Sequence, residues 1–230
     1  MNENYPVKIN NLKFKYKSSK DYILNGINLK IGKGEVIAIT GLSGCGKTSL
    51  MYCINGIIPK RYNGDFSGEV LIDGKNISEL EVEQVATMIG TVFQDPDTQI
   101  VFSNVEDEIA FSSENLCVEK SEILKRMDDI TELLDIQRLR GRNPRDLSGG
   151  EKQLIVAASV LILGINILIL DECMSQVDEK GKKLMKRAIS KLKEQGKTII
   201  MVEHEEENLD IVDKVYKLER GVLSRVKGDI

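Results

Sequence analysis

Eight residues, from Gly41 to Thr48, carry the clearest chemical signal in the sequence. They have the sequence GLSGCGKT and fit the pattern G-x-x-x-x-G-K-[ST], which binds nucleotide phosphates. Glycines let backbone N–H groups turn toward an anion, the lysine brings a positive charge to the β- and γ-phosphates, and the threonine hydroxyl suits Mg²⁺. By itself the loop does not distinguish a kinase, a GTPase or a motor protein. The predicted triphosphate site comprises Gly41, Ser43, Gly44, Cys45, Gly46, Lys47, Thr48 and Ser49.

Two acids, Asp171 and Glu172, directly follow the apolar residues 167–170. A buried strand that ends at a carboxylate delivers that group to the sheet edge where ligands bind in open α/β sheets. Asp171 is therefore a candidate ligand for Mg²⁺, and Glu172 is a candidate general base for an attacking water. The alternative is an ordinary strand end with solvated acids, which the phosphate loop upstream makes the less favoured interpretation.

Short apolar segments alternate with helical patterns along the chain, which predicts an α/β fold with a mostly parallel sheet and an N-terminal antiparallel β part. Two helices at residues 105–116 and 121–134 predict an inserted helical subdomain, at about residues 96–162, within one domain that covers residues 1–230. Further helices are predicted from Lys47 and at residues 148–163 and 179–193. Strands are predicted at residues 7–16, 22–31, 36–40, 69–72, 88–93, 167–170, 198–202, 214–218 and 222–226.

One apolar run, residues 154–170, approaches the length of a membrane-spanning helix. Ser159, Gly164 and Asn166 interrupt the run, and residues 164–166 predict a turn. A buried helix followed by a short strand is therefore favoured over a membrane span.

The composition excludes several classes of protein. The chain has 230 residues, of which 41% are apolar, and its net charge of -4 argues against a general nucleic-acid binder, so no nucleic-acid partner is expected. The first ten residues lack the basic and apolar regions of a secretory signal. With no C-x-x-C spacing and one histidine, a zinc site is not favoured, and free thiols are predicted for Cys45, Cys53, Cys117 and Cys173.

Residues 147–153 have the sequence LSGGEKQ and place a serine and two glycines at a predicted helix start. Ser148 is a predicted N-cap that forms a capping box with Glu151. The N–H groups of Gly149 and Gly150 then provide a second anion-binding site at a helix N-terminus. With this segment the sequence resembles the ABC ATPase family, whose signature is LSGGQ. The resemblance implies a RecA-like P-loop NTPase core and a head-to-tail dimer, in which the signature of one subunit covers the ATP of the other.

Four further residues match positions of the family individually. Gln94 matches the glutamine that contacts Mg²⁺ and the lytic water, and Tyr16 matches the aromatic residue that stacks on adenine. Asp178 matches the D-loop aspartate, and His204 matches the switch histidine at the γ-phosphate. The resemblance thus implies ATP and Mg²⁺ as ligands, a metal site at Thr48, Gln94 and Asp171, and catalysis by Glu172, His204 and Gln94.

In the signature, Glu151 stands where glutamine is commonest in the family, which is a frequent variant. The sequence departs from the family pattern in two further places. Residues 173–178, CMSQVD, replace the usual PTSALD, and Glu203 replaces the usual threonine before the histidine. Neither change removes a catalytic group, but the first bears on the geometry of the D-loop and on the coupling between two ATP sites.

Residues 55–70 and 93–111 are similar to the ATPases of energy-coupling factor transporters, which import vitamins or transition-metal ions. This resemblance implies a second ATPase subunit, identical or paralogous, together with a transmembrane coupling protein and a substrate-binding membrane component, at the cytoplasmic face of the cell membrane. Asp95 and Asp97 are expected in the groove that receives the coupling helices. A soluble ABC ATPase of translation or DNA repair is the alternative, while a P-loop kinase leaves LSGGEKQ unexplained.

Overall fold

The computed structural model describes residues 5–175 and 177–226, which form two β-sheets and the helices that cover them. The strands are β1 Val7–Tyr16, β2 Leu24–Ile31, β3 Val36–Thr40, β4 Gly64–Ile72, β5 Lys75–Asn76, β6 Ile89–Val92, β7 Ile167–Asp171, β8 Thr198–Val202, β9 Lys214–Glu219 and β10 Val222–Arg225. The α-helices are α1 Lys47–Ile54, α2 Ile57–Lys60, α3 Val82–Ala86, α4 Val105–Asn115, α5 Lys120–Leu134, α6 Gly149–Leu161 and α7 Glu179–Glu194.

The larger sheet has the strand order β10–β9–β3–β8–β7–β6, and every pair of neighbouring strands is parallel except β10 and β9. β7 and β8 are buried at every position. One face of the sheet packs against α4 to α7, and the other packs against α1 and the smaller sheet. Strands covered on both faces need continuous apolar sequences, so the prediction of a mostly parallel sheet is confirmed.

The smaller sheet is antiparallel, with the order β2–β1–β4–β5, and confirms the predicted N-terminal β part. In β1 the residues Val7, Ile9, Leu12 and Phe14 are buried, although their spacing changes between Ile9 and Leu12. A register shift at this point keeps both apolar pairs on the same face of the sheet.

Helices α4 and α5 lie in sequence between β6 and β7 and pack with α6 through shared apolar residues. The apolar run of residues 154–170 forms the end of α6, a turn in which Gly164 has φ 73°, and then β7. This is the predicted helix followed by a strand. Within residues 5–175 and 177–226, no helix has the length and apolar character needed to cross a membrane.

Candidate functional site

Four parallel strands end at one edge of the larger sheet, and each leads to a predicted site residue. β3 runs into the phosphate loop, β6 precedes Gln94, β7 ends at Asp171, and β8 precedes His204. The strand ends are in register, because Val202 pairs with Ile39 of β3 on one side and with Asp171 on the other. The fold therefore brings these segments to the edge where open α/β sheets bind ligands.

The phosphate loop contains glycines at positions where a side chain does not fit. Gly41 has φ 152°, and a Cβ atom there would lie 2.5 Å from the carbonyl oxygen of Leu218. Gly46 has φ 107°, and its Cβ would lie 2.9 Å from Cγ1 of Ile23. Gly44 also has a positive φ, of 77°, but the space around it is open. Gly41 and Gly46 therefore fix the loop against its surroundings, while Gly44 leaves backbone accessible to an anion.

Lys47 begins α1, and its side chain lies over the loop that precedes it. Its Nζ atom donates to the carbonyl oxygens of Gly41, at 3.0 Å, and Leu42, at 3.2 Å. Ser43 is exposed, and the Cys45 amide closes the turn with a 3.2 Å bond to Leu42. The ammonium group is thus placed at the mouth of the loop, where phosphate oxygens can replace the two carbonyl partners.

The first turn of α1 presents two hydroxyl groups with different surroundings. Thr48 is exposed, whereas Ser49 is buried and its Oγ lies 2.9 Å from the Tyr16 hydroxyl. The Tyr16 ring also packs edge to face with Phe14 and Tyr62, at centroid distances of 4.7 and 6.1 Å. Tyr16 therefore lies beside the phosphate-loop helix, and its stacking on adenine stays a prediction.

The two acids at the end of β7, Asp171 and Glu172, interact electrostatically with Lys47 and His204. Burial and the neighbouring Glu172 raise the pKa of Asp171 to about 6, while Lys47 and His204 act in the opposite direction. The Oε1 atom of Glu172 lies 2.6 Å from Nε2 of His204. Glu172 has φ 49°, in the left-handed region, and such backbone strain is often found at functional sites. The structure thus brings together Lys47, Asp171, Glu172 and His204.

Gln94 is held between the signature helix and the segment after Glu172. Its Nε2 atom donates to Ser175 Oγ at 3.4 Å, and Ser175 Oγ donates to the Glu172 carbonyl oxygen at 2.8 Å. From the other side, the buried Gln153 donates from Nε2 to the carbonyl oxygens of Gln94, at 2.8 Å, and Phe93, at 3.3 Å. Sequence reasoning did not assign Gln153 or Ser175 to the site. Position 153 within LSGGEKQ is the signal that could have found the first.

The predicted capping box is present at the start of α6. The Glu151 amide donates to Ser148 Oγ at 3.4 Å, and Glu151 Oε2 accepts from the Ser148 amide at 3.1 Å. The other carboxylate oxygen of Glu151 lies 2.7 Å from Arg138 NH1. Burial opposes ionisation, but the bonds to Ser148 and the pair with Arg138 lower the pKa of Glu151 overall. Glu151 is therefore an anion at neutral pH.

Gly150 has a packing role that the sequence interpretation lacked. A Cβ atom there would lie 2.8 Å from Val177 Cγ1 and 2.9 Å from Gly181 Cα, so the glycine lets α6 approach α7. Asp178 is the N-cap of α7, because its Oδ1 accepts from the Gly181 amide at 2.8 Å. Its role between two ATP sites stays a prediction, and Gln176 of the same segment lies outside the described residues.

Cys173 and Glu203, one residue from each of these two departures from the family pattern, are both buried. Glu203 is buried, and its Oε2 accepts from the His204 amide at 3.2 Å and from Asn208 Nδ2 at 3.4 Å. Burial raises the pKa of Glu203, and burial together with the charge of Glu203 raises that of the Cys173 thiol. Glu203 thus orders the backbone that carries His204.

Oxygen donors at the site suit a magnesium ion. Thr48 offers a hydroxyl, Gln94 an amide oxygen and Asp171 a carboxylate, which are the ligand types that Mg²⁺ prefers. The buried Asp171 carboxylate, whose pKa is raised, is a group that a cation stabilises in its charged form. These three residues therefore fit the predicted metal site by their chemistry.

The predicted signature and the predicted phosphate loop share no polar contact in the described part of the chain. Within that part, no hydrogen bond or ion pair joins Ser148, Gly149, Gly150 or Glu151 to residues 41–49. That each of the two segments binds phosphate stays a prediction.

Comparison with known proteins gives related sequences from bacteria and archaea. A Treponema denticola protein, described as an ABC transporter ATP-binding protein, is 42% identical over 219 residues, covering 95% of this chain and 45% of the relative. The chain thus spans less than half of that relative's length. A Pyrococcus horikoshii protein of similar description is 39% identical over 217 residues, covering 94% of this chain and 76% of the relative.

Solved structures share the same fold. The structure of cbiO1 from Clostridium perfringens, described as part of the ABC transporter complex cbiONQ, has a TM-score of 0.87 and 33% identity, covering 96% of this chain and 88% of that one. A bacterial ABC transporter cassette, MJ0796, described as dimeric, has a TM-score of 0.81 with 24% identity over 97% of this chain and 100% of that one, which shows the fold alone.

The family assignment rests on sequence and fold together. Residues 24–175 match the family described as ABC transporter, and they include the phosphate loop, Gln94, the signature and both acids after β7. Since this match covers well over half of the sequence, the chain belongs to the ABC transporter family of ATP-binding proteins.

Proposed function

We propose that this chain binds and hydrolyses ATP as the motor subunit of an ABC importer. The observation that carries the proposal is the close group of Lys47, Asp171, Glu172 and His204 beside the phosphate loop. It combines a cation for phosphate, an acid suited to Mg²⁺ and a hydrogen-bonded carboxylate at a single sheet edge.

Each residue of this group has a distinct proposed task. Glu172 accepts a proton from the attacking water, and the 2.6 Å contact to His204 holds its carboxylate in place. Lys47 and the loop amides stabilise negative charge on the transferred phosphoryl group. Mg²⁺, held by oxygen atoms of Thr48, Gln94 and Asp171, would neutralise phosphate charge.

The separate signature supports a site completed by a second subunit. Ser148 and the amides of Gly149 and Gly150, at the N-terminus of α6, suit an anion that the same chain's phosphate loop does not hold. A head-to-tail dimer brings the signature of one subunit to the ATP of the other. The MJ0796 cassette, which is described as dimeric and as having a post-hydrolysis state with ADP and phosphate, is consistent with this arrangement.

A groove lined by Phe93 and Gln99, in the segment that contains Gln94, supports coupling to a membrane partner. It is a cavity of about 350 Å³ whose lining includes Val101 and Phe111, with 75% and 41% of their surface exposed. Buried Glu108 holds one wall by accepting from the amides of Val101 and Phe102, both at 2.8 Å. An apolar helix end of a transmembrane coupling protein fits such a groove, and a chain bound in this way would lie at the cytoplasmic face of the membrane.

The acids of this loop have other partners than expected. Asp97 pairs with Lys152 at 2.7 Å, and Asp95 accepts from the Asp97 amide at 3.0 Å. The membrane partner would therefore contact mainly the apolar groove, and the two acids would contribute less to its binding. The similarity to cbiO1 supports an energy-coupling factor importer of vitamins or transition-metal ions, with a substrate-binding membrane component and a second ATPase subunit.

Replacement of the proposed base tests the function. Glu172→Gln keeps the size and hydrogen bonding of the side chain but removes its basicity, so kcat should fall by about 10²–10⁴-fold. ATP binding should remain, and ATP should trap a dimer in size-exclusion chromatography. Exposed Glu194→Gln on α7 serves as the matched control and should hydrolyse ATP at the wild-type rate. Near-normal hydrolysis by Glu172→Gln would remove the assigned role.

A further inference from the structure

The signature of this chain contains an acid where an incoming phosphate needs positive potential. Glu151 lies in the first turn of α6, and its Oε2 accepts from both the amide and the hydroxyl of Ser148, at 3.1 and 3.2 Å. These donors belong to the helix N-terminus, which favours any anion that reaches it. The carboxylate therefore competes, by charge and by hydrogen bonding, with a phosphate group approaching the same helix end.

Arg138 lies beside this acid and comes from a different element. It belongs to the short 3-10 helix Gln137–Leu139, which the buried Leu139 anchors in the core of the helical region. Its NH1 atom contacts Glu151 Oε1, the oxygen that does not cap the helix, at 2.7 Å. The arginine thus engages the carboxylate on its outer side and leaves the capping oxygen in place.

The ion pair of Arg138 and Glu151 is expected to contribute little to folding stability. The Arg138 side chain is 52% exposed and the Glu151 side chain 18% exposed, so solvent around the arginine screens the interaction. The capping box is formed by Ser148 and Glu151 alone, so α6 begins at the same residue without the arginine. The position of the arginine calls for a reason other than folding.

We propose that Arg138 is a positioning residue for the signature, which neutralises Glu151 so that the start of α6 accepts the γ-phosphate of ATP held by a partner subunit. This inference rests on the proposed function and deepens it. An uncharged glutamine, the usual residue at position 151, would need no such partner. Arg138 therefore has a role only when position 151 carries an acid, and the two side chains act together.

A double-mutant cycle tests this coupling directly. The parent chain for this test is the Glu172→Gln protein, which is expected to retain ATP. The quantity measured is the ATP concentration that gives half-maximal dimer. It is measured for the parent, for Arg138→Met, for Glu151→Gln and for the chain that carries both substitutions. Arg138→Met should raise this concentration about tenfold when Glu151 is present, as coupling energies of contacting residues suggest. In the Glu151→Gln background the same substitution should change it less than about twofold.

Further variants keep the result interpretable. Arg138→Lys retains the charge and should restore most of the dimer, whereas exposed Arg145→Met, which does not contact Glu151, should have no effect. Thermal unfolding is recorded for every variant, and Arg138→Gln replaces Arg138→Met if the latter does not fold. Equal effects of Arg138→Met in both backgrounds, or no effect in either, would overturn the inference. If the Glu172→Gln protein forms no ATP-dependent dimer at all, the proposed function fails instead.

Discussion

At the scale of single residues, the burial of Asp171 opposes the negative charge of its carboxylate. It lies at the end of a strand that is buried throughout, and its pKa is raised to about 6 by burial and by the adjacent Glu172. An unfolded chain leaves the same carboxyl at its ordinary pKa of 3.8. The folded, ligand-free protein therefore binds this proton more tightly than the unfolded chain does.

This difference predicts that Asp171→Asn stabilises the ligand-free protein. The contribution of Asp171 to the free energy of unfolding is complete below pH 4 and is lost as the pH rises through about 6. At pH 7.5 the asparagine variant, which cannot ionise, should be more stable by about 1–3 kcal/mol. Chemical denaturation at pH 5 and pH 7.5 measures the change.

The same substitution should weaken function, because it removes the anionic ligand proposed for Mg²⁺. ATP hydrolysis and magnesium-dependent nucleotide binding should both fall in Asp171→Asn. Exposed Asp129→Asn on α5 is the control and should leave stability and activity unchanged. An asparagine variant that is less stable than the wild type at pH 7.5 would contradict the electrostatic argument.

At the scale of elements, three strands have the predicted bounds: β1, whose burial alternates, and β3 and β8, which are short apolar runs. β7 extends one residue beyond its prediction, because such all-apolar runs leave few alternatives. β4 begins at Gly64 instead of residue 69, since its first half is polar and is ordered by pairing with β1. α2, α3 and β5 have five residues or fewer, too short to show a period.

The order of strands and motifs in the sequence predicted where the site residues lie. It did not predict the contacts that hold these residues in place. Gln153 and the Gln94 carbonyl are 59 positions apart in sequence, and Arg138 and Glu151 are 13 apart across a turn. Such contacts depend on how α6 packs against the loop after β6, which no local pattern specifies. The sequence thus indicates which groups take part, while the packing of helices decides what holds them.

Helix α6 connects the signature to Gln94, because Gln153 of this helix donates to the Gln94 carbonyl oxygen. Gln153→Met keeps the length of the side chain but leaves the carbonyl oxygens of Phe93 and Gln94 without this donor. Because Gln94 is then held less firmly, kcat should fall about ten- to hundredfold, as small displacements of positioning groups do. The dissociation constant for ATP should stay within about threefold, since the phosphate loop is unchanged.

Steady-state kinetics and equilibrium nucleotide binding separate these two quantities. Ser159→Ala, on the same helix, serves as the control. Among the described contacts, the Ser159 hydroxyl bonds only to the Val156 carbonyl oxygen. An equal loss of affinity and turnover in Gln153→Met would indicate general damage to the fold and not a role in positioning Gln94.

At the scale of the whole molecule, the two segments proposed to bind phosphate belong to different parts of the chain. The phosphate loop follows β3 in the larger sheet, and the signature begins α6 in the helical region. In the proposed head-to-tail dimer, two-fold symmetry would build each interface site from one phosphate loop and the signature of the other subunit. A loop lesion and a signature lesion therefore fall in the same site when different subunits carry them, which leaves the other site intact. They fall in different sites when one subunit carries both.

Mixing two inactive variants tests this arrangement. Lys47→Ala removes the loop cation and Ser148→Arg blocks the signature, so neither protein should hydrolyse ATP alone. In a mixed dimer, one site combines the intact loop of the Ser148→Arg subunit with the intact signature of the Lys47→Ala subunit, and hydrolysis should return. A chain that carries both substitutions, mixed with wild type, places one lesion in each site and should add no activity beyond that of wild-type dimers. If the two single variants stay inactive together while each remains folded and the wild type is active, the two segments do not act between subunits, and the head-to-tail dimer is excluded.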